Sequence, residues 1–266
     1  MSPVTSSWKS QKILVIAKAY PEISSRSGEI VCTAGVTEKG EWRRIFPVPF
    51  RDLAPKSKFE KWQWISVLAA KHSDPRPESY RIQPDSIKVL NKLDSAKHLD
   101  LRKRFIKPGV FRSLHDIENK KLTLGAFRPK DVKGLIIARN NKVRTPKQTA
   151  VILQPSLFTK DKSILKEKTL DFTYIFTCDD ESCPKDHKLR MIDWEIYGTY
   201  FNFLRQYSSE EQAIKALKDK WLNYFFEKRH TYFIAGTHRR FKTWMLIGYF
   251  SLGLHDSLER YQKSFF

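Results

Sequence analysis

The fold is decided by an apolar run near the N-terminus, KILVIAKAY at residues 12–20. Three more runs rich in β-branched and aromatic residues follow it closely: GEIVCTAGV (28–36), GEWRRIFPV (40–48) and KWQWISVLAA (61–70). Between the second and third runs, the sequence EKG at 38–40 is typical of a hairpin turn in which the glycine takes a positive φ. Four strands at such short spacing predict a β-meander or a small β-barrel.

Strands with short helical insertions are predicted for the middle of the chain. Residues 86–90 and 135–138 have the pattern of strands, and a short basic helix is predicted around residues 96–105, ending at the Pro-Gly pair that follows. We also expect strands at residues 151–153 and 172–177, where the apolar residues are mainly β-branched or aromatic. The first two thirds of the chain are therefore predicted to be β-rich.

The last third of the chain changes to helical periodicity. Apolar residues recur three or four positions apart in two sets: Trp194, Tyr197, Phe201 and Leu204, then Ile214, Leu217, Trp221 and Phe225. They predict two amphipathic helices, separated where Ser208 and Glu211 form a capping-box pattern. Apolar runs at 232–235 and 244–250, joined by the loop 236–243, then predict a terminal β-hairpin.

Positive charge is in large excess and is concentrated in one part of the chain. The 266 residues carry a net charge of +20, with a pI near 9.8. Residues 1–60 contribute +4, residues 61–170 contribute +15 and residues 171–266 contribute +1. Solubility does not require so much charge, and its localisation predicts attraction to a polyanion, above all nucleic acid. A solvated basic surface without a specific partner is the alternative.

The chain is predicted to divide near residue 165, where the lysine-rich stretch 160–168 interrupts the pattern. Residues 1–165 are expected to form a basic, β-rich region. Residues 166–266 are expected to form a smaller α+β module that contains the two amphipathic helices and the terminal hairpin. The predicted fold class of the whole chain is therefore α+β.

Neither a membrane nor a disulfide framework is indicated. No apolar run approaches the roughly 18 residues of a membrane span, and the first twelve residues lack the apolar core of a secretion signal. A membrane surface would require an amphipathic helix beside the lysines, and none is predicted there. Three cysteines are too few for a disulfide framework in a chain of this length. We therefore expect a cytoplasmic protein with reduced thiols or a bound metal.

The sequence Cys178-x4-Cys183-x3-His187 predicts a zinc site, because zinc prefers cysteine sulfur and histidine nitrogen. The fourth ligand has to come from elsewhere, with His238 as first choice and His230 as second, and a structural role is favoured over a catalytic one. Two ordinary buried cysteines beside a surface histidine are the alternative. The other histidines are predicted to be surface or hydrogen-bonded core residues: His72, His98, His115 and His255.

Basic residues beside aromatic rings are the predicted nucleic-acid contacts. In the loop 236–243, Phe241 lies among cations, an arrangement that can stack on a base and hold phosphates. An exposed basic turn without a partner is the alternative. In the N-terminal strands arginines alternate with aromatic rings, in the set Trp42, Arg43, Arg44, Phe46, Arg51, Trp62 and Trp64. At most two of these rings are expected to be exposed, because most of them must build the core. The full set of predicted contacts is Arg43, Arg44, Arg51, Arg102, Lys103, Arg104, Lys142, Arg144, Arg239, Arg240 and Lys242.

The N-terminal part of the chain resembles the dual OB-containing domain family. The likeness rests on ILVIA at 13–17, CTAGV at 32–36, GEWRRIFP at 40–47 and LGAFRP at 124–129, and it covers about residues 12–140. It implies OB-like barrels in tandem, nucleic-acid binding and a place in bacterial conflict or defence loci. An OB barrel binds oligonucleotides across its face and loops, which agrees with the strand-rich pattern.

The leading interpretation is a nucleic-acid-binding protein, single-stranded or backbone-directed, with a structural zinc module. One rival is a metal-dependent nuclease that uses Asp193, Glu195 and His238, although carboxylates in a first helical turn also serve as dipole caps. No familiar nuclease motif or Gly-rich phosphate loop is legible in the sequence. The other rival is an accessory subunit, with a protein partner, of a nucleoprotein complex in defence or mobile elements. Catalysis and the choice between DNA and RNA stay open.

Overall fold

The structure is a computed structural model that describes residues 7–24, 28–71, 74–153, 165–183, 185–256 and 258. His72 and part of the lysine-rich stretch 160–168 lie outside the described residues. In the part of the chain that is described, no helix is long and apolar enough to cross a membrane.

Strands dominate the structure, and helices are fewer. The strands are β1 (Lys9–Lys18), β2 (Glu22–Ser24), β3 (Gly28–Val36), β4 (Trp42–Val48), β5 (Gln63–Lys71), β6 (Ser79–Ile82), β7 (Lys88–Lys92), β8 (Val110–Phe111), β9 (Leu124–Phe127), β10 (Pro129–Arg139), β11 (Leu170–Cys178), β12 (His187–Met191), β13 (Arg229–Thr237) and β14 (Trp244–Gly253). The helices are α1 (Leu99–Ile106), α2 (Leu114–Asn119), α3 (Pro146–Leu153), α4 (Trp194–Gln206), α5 (Glu210–Lys218) and α6 (Phe225–Glu227). The predicted α+β class is confirmed.

The chain forms two compact units, each made of two segments. The first contains Met1–Pro108 and Asn141–Glu167, and the second contains Gly109–Asn140 and Lys168–Phe266. This division differs from the boundary expected near residue 165, because strands β8 to β10 pair with strands of the C-terminal part of the chain.

The first unit is built on a closed five-stranded barrel with the strand order β1-β3-β4-β6-β5. Closure depends on β1, which has two partners along its length. Its first half pairs with β5, from Lys9 opposite Ala69 to Leu14 opposite Trp64. Its second half pairs with β3. Strands β4 and β6 are parallel and all other neighbours around the barrel are antiparallel, which is the order 1-2-3-5-4-1 of an OB fold.

Large side chains fill this barrel, and a glycine lets its strands approach closely. Trp42, Trp62 and Trp64 are buried, so most of the rings quoted above form the core, as expected. A Cβ atom added to Gly35 on β3 would collide with the carbonyl oxygen of Leu14 on β1, and would lie 2.6 Å from the side chain of Ile13. The β1–β3 contact therefore requires glycine at this position.

The second unit repeats the same strand order. Its sheet runs β10-β11-β12-β14-β13-β9, and only Arg128 separates β9 from β10 in the chain. The two form one bent strand, whose first part pairs with β13 and whose second part pairs with β11. Strands β12 and β14 are parallel. Along the chain, α4 to α6 lie between β12 and β13. Both units thus have the OB-like order that the family resemblance implied.

Helix ends explain two local errors of the sequence prediction. Residues 151–153 were expected to be a strand but belong to α3, which begins with a reciprocal cap: Gln148 N–H donates to Thr145 Oγ1 at 3.3 Å, and Thr145 N–H donates to Gln148 Oε1 at 2.9 Å. The break between α4 and α5 is where the sequence places it, but the capping residue is Ser209, which accepts a hydrogen bond from Gln212 N–H.

Gly35→Ala is expected to destabilise the protein, because the new methyl group must push β1 and β3 apart. We expect a loss of about 1–3 kcal/mol in the free energy of unfolding, the usual range for overpacking. The matched control is Gly134→Ala on β10, where an added Cβ has no atom within 4 Å. Urea unfolding followed by circular dichroism measures both variants. Equal stability of the two would contradict the close approach at Gly35.

Candidate functional site

The tip of the β13–β14 hairpin is a compact turn held together by the imidazole of His238. The turn closes with His238 N–H donating to the carbonyl of Thr243 at 2.8 Å and Lys242 N–H donating to the carbonyl of His238 at 3.0 Å. Nδ1 of His238 accepts two more hydrogen bonds, from the N–H groups of Arg240 at 3.1 Å and Phe241 at 3.2 Å. The backbone of the tip is therefore fixed by four hydrogen bonds within six residues.

This turn presents an aromatic ring and three cations to solvent. Phe241 is 64% exposed, and its ring stacks on the His238 imidazole with centroids 4.8 Å apart and an interplanar angle of 22°. The guanidinium of Arg240 lies 5.5 Å from the same ring. Arg239, Arg240 and Lys242 are all exposed. A large ring in such a position contributes little to the core, and its surroundings suit a base and its phosphates.

Three other predicted contacts have structural roles. Arg44 is only 2% exposed, and its Nη1 donates to Ser79 Oγ at 3.4 Å. Lys103 is 7% exposed. Nε of Arg102 donates to the carbonyl of Leu93 at 2.8 Å, and its guanidinium lies 4.7 Å from the ring of Trp62. Burial lowers the pKa of the Arg102 guanidinium. Each of these three side chains is turned toward the protein, and the prediction that they hold phosphates stays a prediction.

Three more arginines in the predicted set are engaged in ion pairs. Arg43 pairs with Glu41 at 2.7 Å, Arg51 with the buried Glu29 at 2.9 Å, and Arg144 with Glu167 at 3.2 Å. Of the predicted contacts, the exposed ones are Arg104, Lys142, Arg239, Arg240 and Lys242. Three of these five lie in the hairpin turn, which makes that turn the densest group of reachable cations predicted from the sequence.

The predicted metal ligands Cys178, Cys183 and His187 come together at the loop between β11 and β12. Their ligand atoms all lie within 4.8 Å of one another, and Cys183 Sγ is 3.0 Å from His187 Nε2. Burial raises the pKa of the Cys178 thiol to about 12. Burial also lowers the pKa of His187, which favours the neutral imidazole that binds metals. Two sulfurs and one nitrogen at these separations suit zinc.

The structure does not bring the expected fourth ligand to this cluster. Among the described residues, the group of potential ligands has three members, and neither His238 nor His230 is one of them. Nδ1 of His238 is occupied by its own turn. Nε2 of His230 lies 3.0 Å from the carbonyl oxygen of Leu254.

The residues of the nuclease hypothesis are likewise not brought together. Asp193 is 1% exposed, and its Oδ1 caps α4 by accepting a hydrogen bond from Glu195 N–H at 2.5 Å. The carboxylate of Glu195 interacts with the hydroxyl of Tyr249, whose pKa is raised by burial and by these acids. Neither acid belongs to a cluster of ligands in the described part of the chain. Asp193 therefore serves as the helix cap, and Glu195 is an acidic residue in the first turn of the same helix.

The sequence prediction missed the segment that backs the cysteine loop, at the start of α2. Nε of Arg112 donates to the carbonyl of Asp179 at 2.7 Å, and Ser113 Oγ donates to Asp180 Oδ2 at 2.5 Å. The N–H of Leu114 donates to the sulfur of Cys178. Ser113 also caps α2, a local pattern that was legible in the sequence, but its contact with the loop depends on residues 67 positions away.

Arg102 and Arg104 lie two residues apart on α1 and are expected to respond differently to mutation. Arg102→Ala leaves the carbonyl of Leu93 without its donor and removes the guanidinium from Trp62, so we expect a loss of about 1–3 kcal/mol in the free energy of unfolding. Arg104→Ala should stay within about 0.5 kcal/mol of the parent, because Arg104 is exposed. Thermal unfolding of both variants tests the difference, and an unaffected Arg102→Ala protein would contradict the structural role.

Comparisons with known proteins identify families but no activity. No curated protein matches the sequence. Two solved structures are weakly similar over 94% of this chain. One is a murine DNA-binding protein bound with double-stranded DNA, with 9% identity, 98% coverage of that chain and a TM-score of 0.27. The other is a replication protein A heterotrimer bound to single-stranded DNA, with 10% identity, 67% coverage and a TM-score of 0.26. Scores this low do not establish a shared fold.

Two family models match the chain, and they meet close to Pro108, where the first segment of the first unit ends. One, described as a domain of unknown function (DUF8758), matches residues 9–108. The other, described as a domain of unknown function (DUF8757), matches residues 111–265. Because the second model spans more than half of the chain, the protein belongs to the family described as domain of unknown function DUF8757.

Proposed function

We propose that this protein binds single-stranded nucleic acid, and that the hairpin turn 238–243 of the second unit makes the base-stacking contact. The observation that carries the proposal is the exposed ring of Phe241, held on a hydrogen-bonded turn and surrounded by Arg239, Arg240 and Lys242. Aromatic rings beside cations are the usual means by which proteins hold single strands.

The position of the turn in the barrel supports this function. Strands β13 and β14 are the fourth and fifth strands of the OB-like order, so the turn is the loop between them. In OB folds this loop, together with the loop after the first strand and the face of the second and third strands, binds oligonucleotides. The exposed ring therefore lies where the architecture most often places such a contact.

Stacking on Phe241 favours a base that is not already stacked. In a duplex both faces of an internal base are covered by its neighbours, whereas in a single strand a base can turn onto an aromatic ring. Phe241 is itself stacked on His238, so a base placed on it would extend a stack that the protein has begun. Single strands and unpaired ends are thus the preferred substrates.

The net charge supplies the second component of binding. The sequence of the first unit carries +14 and that of the second carries +6, so both units attract phosphates. This attraction is independent of base sequence and weakens with salt, because each neutralised phosphate releases counterions. If about 6 phosphates are engaged, affinity should fall by about 10³-fold between roughly 50 and 200 mM salt.

Phe241→Ala is expected to weaken binding of a labelled single-stranded oligonucleotide by about 1–3 kcal/mol, or roughly 5- to 150-fold in Kd. Fluorescence anisotropy at fixed salt measures the effect. Phe241→Trp is the matched control, since it keeps a stacking surface and should bind at least as tightly as the parent. Unchanged affinity in Phe241→Ala would remove the base contact from this turn.

The salt dependence separates stacking from charge. The double variant Arg239→Ala, Arg240→Ala should bind with a smaller slope of log Kd against log salt, whereas Phe241→Ala should keep the parent slope. A parent protein whose binding is independent of salt, or that does not bind at all, would overturn the proposed function.

The second component of the proposal is a structural zinc ion bound by Cys178, Cys183 and His187. The observation that favours it is the convergence of the three ligand atoms within 4.8 Å, two of them on buried cysteines. Zinc would tie the end of β11 to the start of β12 across the loop that joins them. Because the Cys178 thiol is protonated in the metal-free protein, zinc binding must release its proton.

Cys183→Ser is expected to abolish stoichiometric zinc binding and to lower the melting temperature of the zinc-loaded protein. Cys32→Ser is the control, because Cys32 lies on β3 of the first unit and should leave the zinc content unchanged. Elemental analysis gives the metal content, and thermal unfolding with and without a chelator gives the stabilisation. A parent protein free of zinc after zinc loading would refute the site.

Three wider expectations remain predictions. These are a place in bacterial defence, a protein partner in a nucleoprotein complex, and a cytoplasmic location. The first follows from the family resemblance, and the second belongs to the alternative of an accessory subunit. A pull-down of the intact protein with nuclease treatment as a control would test the second, since a genuine protein partner survives removal of nucleic acid.

A further inference from the structure

The start of α2 is fastened to the cysteine loop at three consecutive residues. Arg112 and Ser113 donate side-chain hydrogen bonds to Asp179 and Asp180, at 2.7 and 2.5 Å, and Leu114 donates its backbone N–H to the sulfur of Cys178. Hydrogen bonds from backbone N–H groups to cysteine sulfur stabilise the thiolate that a metal requires. The residue that follows along the helix therefore has its backbone held beside the metal cluster.

That residue is His115. Its Cα lies about 3.8 Å from that of Leu114, the fixed spacing of neighbouring residues. The side chain is partly buried. It is close enough to Asp180 to lower the pKa of that carboxyl, after the larger effects of Ser113, Ser182 and Arg112.

Most of the acids around the cluster are already engaged, which leaves them less suited to a metal. Four of them have partners: Asp179 with Lys130, Asp180 with Ser113 and Ser182, Asp186 with Lys133, and Glu118 with Trp244. Glu181, between the two cysteines, is exposed to solvent. Zinc also prefers nitrogen and sulfur in closed structural sites. The neighbouring imidazole of His115 thus supplies the nitrogen donor that the fourth position needs.

We propose that His115 is the fourth ligand, so that Cys178, Cys183, His187 and His115 bind one zinc ion tetrahedrally. This inference rests on the zinc component of the proposed function. The ring of His115 lies outside the group of three, so it must rotate about its side-chain bonds while the hydrogen bonds of residues 112–114 hold the backbone in place.

The donor set balances the charge of the metal. Each cysteine gives up its thiol proton to solvent, both histidines bind as neutral imidazoles, and the two thiolates neutralise Zn²⁺. The closed site has no open position for water, so it stabilises the fold and supplies no hydrolytic centre. The metal would join α2 to the β11–β12 loop, two elements that are far apart in sequence.

Cobalt substitution tests the fourth ligand directly. The metal-free parent protein is titrated with Co²⁺, and we expect the intense visible bands of tetrahedral cobalt together with thiolate-to-cobalt charge transfer. His115→Ala should weaken both Co²⁺ and Zn²⁺ binding by more than about tenfold. Removing a residue that only hydrogen-bonds to a metal ligand already costs about tenfold or more, so removing a ligand itself should cost at least as much. It should also reduce the visible bands, as water enters the coordination sphere.

Two further variants make the test specific. His115→Cys should restore tetrahedral binding and raise the charge-transfer intensity by about half, because three thiolates replace two. His238→Ala should leave affinity and spectrum unchanged. Melting of all the metal-free variants checks that the substitutions do not act through folding, and we expect differences only in the metal-loaded form.

The outcomes are distinguishable from failure of the proposed function. A parent protein that binds neither Co²⁺ nor Zn²⁺ refutes the zinc site as a whole. A parent protein that binds while His115→Ala keeps the same affinity and spectrum overturns the assignment of His115. Loss of tetrahedral cobalt in His238→Ala, with His115→Ala unaffected, would assign the position to the hairpin histidine instead.

Discussion

The pairing of one long strand with two partners is the constraint on which both units depend. In the first unit β1 pairs along its first half with β5 and along its second half with β3, and in the second unit β9 and β10 do the same with β13 and β11. A strand can change partners in this way only if it bends or twists strongly, which the bulge between Val15 and Ala17 and the break at Arg128 permit. Closure leaves no exposed edge between the first and fourth strands of either unit.

Closure also determines where variable chemistry can be placed. The strands of a barrel are committed to hydrogen bonds and core packing, so cations and exposed rings concentrate in the loops between them. The β13–β14 turn is one such loop, and the imidazole of His238 fixes its backbone. A ring on a fixed turn loses little conformational freedom when it stacks on a base, which is an advantage over a ring on a flexible loop.

Local patterns predicted most elements, and non-local pairing accounts for what they missed. Four of the five strands of the first barrel, the two amphipathic helices and the terminal hairpin follow from periodicities within a few residues, whereas the short barrel strand β6 was not predicted. The division into units does not, because β9 is placed by its pairing with β13, more than 100 residues away.

The Thr145-x-x-Gln148 cap of α3 was a local signal, but the prediction followed the apolar run beside it instead. The burial of Arg44 and the contact of Arg102 with Trp62 depend on the closed barrel, and sequence alone shows only that both are arginines.

The candidate site shows the same division between local and distant signals. Three candidate metal ligands within ten residues were legible because their spacing is local, whereas any fourth ligand would depend on which helix lies against the loop. That helix also connects the cluster to the hairpin. Trp244, at the base of the turn, donates its indole N–H to Glu118 at the other end of α2, at 2.5 Å, and Thr237 N–H donates to the carbonyl of Thr123 at 2.9 Å. The same short helix therefore touches the cysteine loop at one end and the hairpin at the other. A metal that fixes α2 would stabilise the support of the turn that carries Phe241, so the proposed zinc site and the proposed nucleic-acid contact would be parts of one arrangement within the second unit.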